Sequence, residues 1–248
     1  MGVIALLYGV ICYVVFFATF LYLVVFVGGD ALSAFVSAPK TIDAGDALGV
    51  FAPAPFQNIA LLLLFGVSHS VMARPGFKKW WTKIVPPAIE RSTYVLVASA
   101  ALILMYHYWR PMPHDVWTLT GGLGTVMTAL YFIGFGIVLL STFLINHFDL
   151  FGLKQVWLRF KNAEAKPSPF GTPLLYAFVR HPLYLGFTIA FWATPSMSIG
   201  HLLFASVMTI YIFIAIGYEE RDLIAHFGED YRKYMERVPS LLPIGGRK

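Results

Sequence analysis

Charge and cysteine are what this chain has least of. Only 12% of its 248 residues are Asp, Glu, Lys or Arg, about half the share a soluble globular domain carries. A single cysteine, Cys12, excludes an intramolecular disulfide framework and any cysteine-rich metal site. It sits inside the first apolar run and reads as a small buried or lipid-facing residue. Residues 1–27 lack a basic leader, and their apolar run outlasts a signal peptide's core, so a retained first helix is expected. What fills the space left by charge is apolar: 58% hydrophobic residues and a mean hydropathy of +0.71. Several stretches approach the ~20 residues that cross a bilayer. The expected fold class is therefore all-α, a polytopic integral membrane protein with five to six transmembrane helices and a C-terminal amphipathic segment.

Apolar runs place the spans at about 3–27, 56–73, 92–109, 122–145, 183–199 and 200–218 within one membrane domain, followed by a tail over 219–248. The last two spans read as a hairpin through ATPSMSIG, punctuated by Pro195 and Gly200. Loop 28–55 offers no signal. Net charge is +5 and the pI about 9.3, but the positions of the charges argue against a nucleic-acid partner. Arg74, Lys78, Lys79, Lys83 and Arg91 lie in one loop; Lys154, Arg159, Lys161, Lys166 and Arg180 lie in another. Arg221, Arg232, Lys233, Arg237, Arg247 and Lys248 follow the last span. Sixteen of eighteen basic residues thus share one side, with Lys40 and Arg110 opposite. The positive-inside rule then puts both termini in the cytoplasm, and an inner membrane is expected.

That orientation gathers ionisable groups at one face. His69, Ser70 and Arg74 close span 2, and Glu90 and Arg91 open span 3. Asn146, His147 and Asp149 end span 4, Arg180 and His181 open span 5, and Glu219, Glu220 and Arg221 end span 6. Polar groups at membrane depth are costly unless paired or hydrated, and so mark a candidate site. In RHPLYLG, Pro182 suits the first helical turn, leaving the N–H groups of Leu183, Tyr184 and Leu185 at a helix start suited to an anion or hydroxyl. An interfacial helix cap, with Tyr184 in an aromatic belt, explains the same residues. Gly186 admits either a ligand or a neighbouring helix. The adjacent Glu219 and Glu220 favour a cation or an ammonium group. Beyond them Leu223, Phe227, Tyr231, Tyr234 and Val238 recur at helical spacing, giving an apolar stripe that lies on the membrane or packs as a lid.

RHPLYLG followed by EERDLIAHFGEDYRKYMERVPSLLP resembles the signature of the isoprenylcysteine carboxyl methyltransferase superfamily, which includes the NnrU-type proteins and phospholipid methyltransferases. SHSVMARPGFK, ERSTYVL, YWRP and NHFDLFGLKQ further resemble the bacterial membrane methanethiol S-methyltransferases, over residues 68–243. The resemblance implies methyl transfer from S-adenosylmethionine to a small volatile thiol, giving dimethyl sulfide and S-adenosylhomocysteine, with membrane lipids as surroundings. It implies donor binding by Tyr176, Arg180, His181, Leu183, Tyr184, Gly186, Glu219 and Glu220, and leaves open which glutamate takes the ammonium.

The thiolate is the effective nucleophile, so a base or a stabilising cation is needed. Candidates on the acceptor side are His147, Asp149, His69 and Glu90, with Arg91 or Arg180 supplying positive charge. No metal is expected. Other acceptors remain open, namely another thiol, a lipid amine or an isoprenylcysteine carboxylate. So does a non-enzymatic haem-binding or transport protein, with His69 and His147 as the feasible haem pair.

Overall fold

A computed structural model describes residues 2–32, 36–164 and 170–243; Lys166, Arg247 and Lys248 of the basic set lie outside them. Five helices are long and apolar enough to cross a membrane: α1 (Gly2–Gly28), α2 (Ala54–Ala73), α4 (Pro87–Tyr108), α5 (Gly121–Ile145) and α9 (Ile199–Phe227). Between α2 and α4 lies the short α3 (Pro75–Trp81). After α5 come α6 (His147–Leu150) and α7 (Leu153–Lys161), then a 3₁₀ turn at Leu174–Ala177 and α8 (Pro182–Trp192). The last helix is α10 (Glu229–Arg237). The all-α expectation stands, with five long spans and one short apolar helix.

Two boundaries, the ends of α8 and α9, differ most from the apolar pattern. Helix α8 has 11 residues, about 16 Å of rise, within the slightly short run over 183–199 that was expected to be tilted or incompletely spanning. It ends because Thr194 precedes Pro195, which disfavours helical geometry. The chain then extends into β2 (Ser196–Ser198), which pairs antiparallel with β1 (Asp115–Thr118). Backbone bonds Leu119 N–H to Pro195 O (2.7 Å) and Ile199 N–H to His114 O (2.9 Å) flank this ladder. Helix α9 passes residue 218 and runs to Phe227, since a backbone ladder continues past an apolar boundary wherever water satisfies the side chains. It breaks at Gly228, whose φ of +60° suits glycine. The 223–238 stripe is therefore divided between two helices.

The chain forms two compact units, residues 1–118, 146–166 and 196–204 in the first, and 119–145, 167–195 and 205–248 in the second. In the first, α1 packs on α4 and α7, and α4 on α2. Phe26, Tyr106 and Trp109 make a buried aromatic cluster, Phe26 tilted on Tyr106 and edge-on to Trp109. Loop 36–53, silent in the sequence, is pinned there. Ile42 is buried, with its N–H on Phe26 O and its carbonyl on the Trp109 indole (both 2.9 Å). Buried Gln57 donates to Gly49 O and Tyr108 O, and buried Asn58 bonds both N–H and C=O of Arg110. Lys40, mostly buried, donates to Gly45 O at 2.7 Å. Each side chain does what a buried polar group must and finds a partner.

In the second unit α5 and α8 touch backbone to backbone. A Cβ on Gly134 would stand 2.6 Å from Ala190 N, and one on Gly186 would stand 2.7 Å from Gly134 O. Of the two uses Gly186 allowed, the structure shows the neighbouring helix.

Candidate functional site

Helix α8 opens with His181 as N-cap and Pro182 at its first position. The backbone N–H groups of Arg180 and His181 donate to Pro239 O (2.9 Å) and Ser240 O (3.1 Å). The segment after α10 is thereby stitched to the start of α8. The Arg180 guanidinium adds to the seam, donating through Nη1 to Val238 O (2.5 Å) and Met235 O (3.2 Å).

One carboxylate oxygen gathers the rest. Glu220 Oε1 accepts from Arg180 Nε (2.9 Å) and Nη2 (2.7 Å), lies 3.0 Å from His181 Nε2 and 3.5 Å from Ser240 Oγ. The Arg180 and Glu220 side chains are only 10% and 16% exposed and that of His181 3%. Charged groups so far from water persist when paired in this way. Glu219 differs. Its side chain is 42% exposed and, among the described residues, its ion pair is with His181 Nδ1 at 3.7 Å. Two adjacent glutamates thus have distinct situations, one bound into the protein and one still offering a carboxylate.

Aromatic rings surround this cluster. Tyr184 lies 5.7 Å from the His181 ring. Tyr234 donates its hydroxyl to Tyr176 O (2.5 Å), and Phe170 packs against Phe227, Tyr231 and Tyr234. Burial pushes the Tyr234 phenol up to about 12 and raises those of Tyr176 and Tyr231 as well, so all three stay neutral hydroxyls. The Tyr231 hydroxyl is buried without a hydrogen-bond partner among the described residues. A half-free carboxylate, neutral phenols and an unsatisfied buried hydroxyl fit a cationic ligand that also carries polar groups. Glu219, His181, Tyr184, Tyr176 and Tyr231 could hold such a ligand, while Arg180 and Glu220 are engaged with each other and with the C-terminal segment. Leu183 belongs to the first turn of α8.

Apart from Arg180, the acceptor-side candidates lie in the first unit. His69 hydrogen-bonds the Tyr94 hydroxyl (2.8 Å from Nε2) and stacks on Phe65. Arg91 stands over the Tyr94 ring at 5.4 Å and donates through Nε to Leu150 O (3.0 Å). These residues form one chain of contacts. Separately, His147 is buried, with Nε2 2.8 Å from the Tyr13 hydroxyl and its ring against Phe151. Burial lowers its pKa, keeping the imidazole neutral. Asp149 bonds Lys154 and Gln155, both at 2.8 Å, which ties it to the start of α7. Glu90, in the first turn of α4, has Oε1 buried without a partner among the described residues. Tyr13, Tyr231, Tyr234 and Ser240 were not read as site residues. Tyr13 offered one faint signal, a polar-tipped ring among Phe16 and Phe17 inside an otherwise apolar span.

Fold and cluster together define a polytopic helical membrane protein with a built ionic centre beside aromatic rings. A family model described as NnrU protein matches residues 58–226, and the chain belongs to that family. It is 52% identical over 241 residues to Methanethiol S-methyltransferase 1 of Bradyrhizobium diazoefficiens, covering 97% of this chain and 82% of the relative. It is 49% identical to Methanethiol S-methyltransferase of Mycobacterium tuberculosis, covering 96% and 95%. Nurim of Bos taurus is 31% identical over 67% of this chain and 66% of its own length. No solved structure matches.

Proposed function

We propose that this methyltransferase moves a methyl group from S-adenosylmethionine to the sulfur of methanethiol, releasing dimethyl sulfide and S-adenosylhomocysteine. The observation that carries the reading is Glu219, an exposed carboxylate held beside buried His181 and aromatic rings, in a chain about half identical to methanethiol S-methyltransferases. When bound, the donor supplies a methyl on a sulfonium, open to in-line displacement. Glu219 accepts from its ammonium, and the Tyr231 hydroxyl is available to its polar groups. Glu220 orients His181, and Arg180 holds the 235–240 segment in place.

For the acceptor, the S–H proton must leave as the new C–S bond forms. His69, oriented by Tyr94, is the proposed proton acceptor, with Arg91 favouring the thiolate. Glu90 is the second choice, its Oε1 being buried without a partner among the described residues. Positioned bases are worth about 10²–10⁴-fold. The proposal also places the protein in the inner membrane with the site and both termini cytoplasmic.

The test is headspace analysis of the purified protein in detergent with S-adenosylmethionine and methanethiol. Dimethyl sulfide in proportion to enzyme, lost in Glu219→Ala and His181→Ala, is expected. Donor binding without dimethyl sulfide would refute the acceptor; neither binding nor product would refute the whole reading.

A further inference from the structure

Helix α7 has two faces with different fates. Toward α1 it is close-packed. Val156 is fully buried, and a Cβ on Gly9 would stand 2.6 Å from its Cγ2, while one on Gly2 would stand 3.0 Å from Phe160 Cα. That contact holds α7 rigidly along α1. Trp157 (49% exposed) and, at the edge of that contact, Phe160 (37% exposed) keep their rings open. Lys161 lies over both rings, 5.1 Å and 5.9 Å from their centroids. Arg159 and Lys161 are exposed, and Leu153–Lys161 contains no acidic residue.

The same combination recurs in the α2–α4 connection. Lys79, Trp80, Lys83 and Ile84 are exposed there, and residues 74–89 include no acid. A partner for these faces must offer apolar depth to indole and phenyl rings and negative charge to the cations beside them. A protein groove would seat the rings but would need its own acidic rim twice over. A bilayer surface of anionic phospholipid supplies both everywhere, with indoles at headgroup level.

We propose that α7, seconded by the 79–84 segment, is a docking surface for anionic phospholipid, with Trp157 and Phe160 at headgroup depth and Arg159 and Lys161 on the phosphates. Attraction to an anionic surface enriches such lipid by roughly fivefold per cation and weakens with salt.

The experiment uses the full chain in nanodiscs made with either brominated phosphatidylglycerol or brominated phosphatidylcholine, reading quenching of tryptophan emission. Stronger quenching by the anionic lipid is expected. The difference should shrink in 0.5 M salt, in Arg159→Gln/Lys161→Gln, and in Trp157→Phe, which removes one of the six indoles that report. Equal quenching by the two lipids would overturn the proposal. So would an anionic preference undiminished in the double variant or in Trp157→Phe. The readout is independent of methyl transfer, so its failure leaves the functional reading untouched.

Discussion

Replacing Glu220 by Gln removes the charge on which Arg180 and His181 converge. Arg180 would keep its carbonyl partners but lose an ion pair at 2.7 Å in which both side chains are largely buried. Breaking a buried pair by removing one member costs about 3–5 kcal/mol. With 10–16% exposure remaining and glutamine still able to accept one hydrogen bond, about 2–4 kcal/mol is expected here. At ~2–4 °C per kcal/mol for a chain of this size, the melting temperature in detergent should fall by ~5–15 °C. Glu219→Gln is the control that makes the argument specific. Its carboxylate is 42% exposed and only 3.7 Å from His181, so the stability change should stay within ~1 kcal/mol. Calorimetric affinity for S-adenosylmethionine should nevertheless fall at least ~10-fold, as befits a lost charge-assisted contact. Unchanged melting in Glu220→Gln would refute the bridging role. Unchanged donor affinity in Glu219→Gln would refute the assignment of the ligand carboxylate.

Other expectations follow from the same geometry. Gly186→Ala places a methyl 2.7–2.8 Å from backbone atoms of Gly134 and Val138, so α5 and α8 must separate; about 1–3 kcal/mol of destabilisation is expected, seen as earlier thermal unfolding. Burial depresses the His147 pKa below its ordinary 6.5, so the unfolded chain takes up that proton first. The stability is whole above pH 6.5 and is lost as pH falls from there through the lower folded value. His147→Gln should flatten this part of a melting-temperature profile between pH 8 and pH 5, and an unchanged profile would argue against it. His69→Ala should lower kcat by 10²-fold or more while leaving donor affinity near that of the parent, as checked by turnover and calorimetry. A loss confined to donor binding would remove His69 from proton transfer.

Apolar run length and the asymmetry of basic residues were legible along the chain, since both follow from the cost of placing charge in hydrocarbon. Four long helices therefore lie within a few residues of their expected limits. Local chemistry was legible too: Pro182 opens a helix because its missing N–H costs nothing there, and Gly186 marks a close approach. What residue order does not encode is partnership. Glu219 and Glu220 are neighbours of identical type, yet one binds Arg180 and His181 and the other keeps an exposed carboxylate, because successive positions on a helix point about 100° apart. Loop 36–53 reads as featureless because its partners, Phe26, Gln57, His107 and Trp109, come from three helices and the residue capping one of them. Tyr13 with His147 and Arg180 with Val238 lie far apart along the chain, so only folding brings them within hydrogen-bond reach. Composition and hydropathy alone determined that this is a helical membrane protein and which residue types stand at one boundary. The tertiary structure decided which of those residues are bound into the protein and which keep an exposed side chain, because that depends on long-range contacts that no local pattern records.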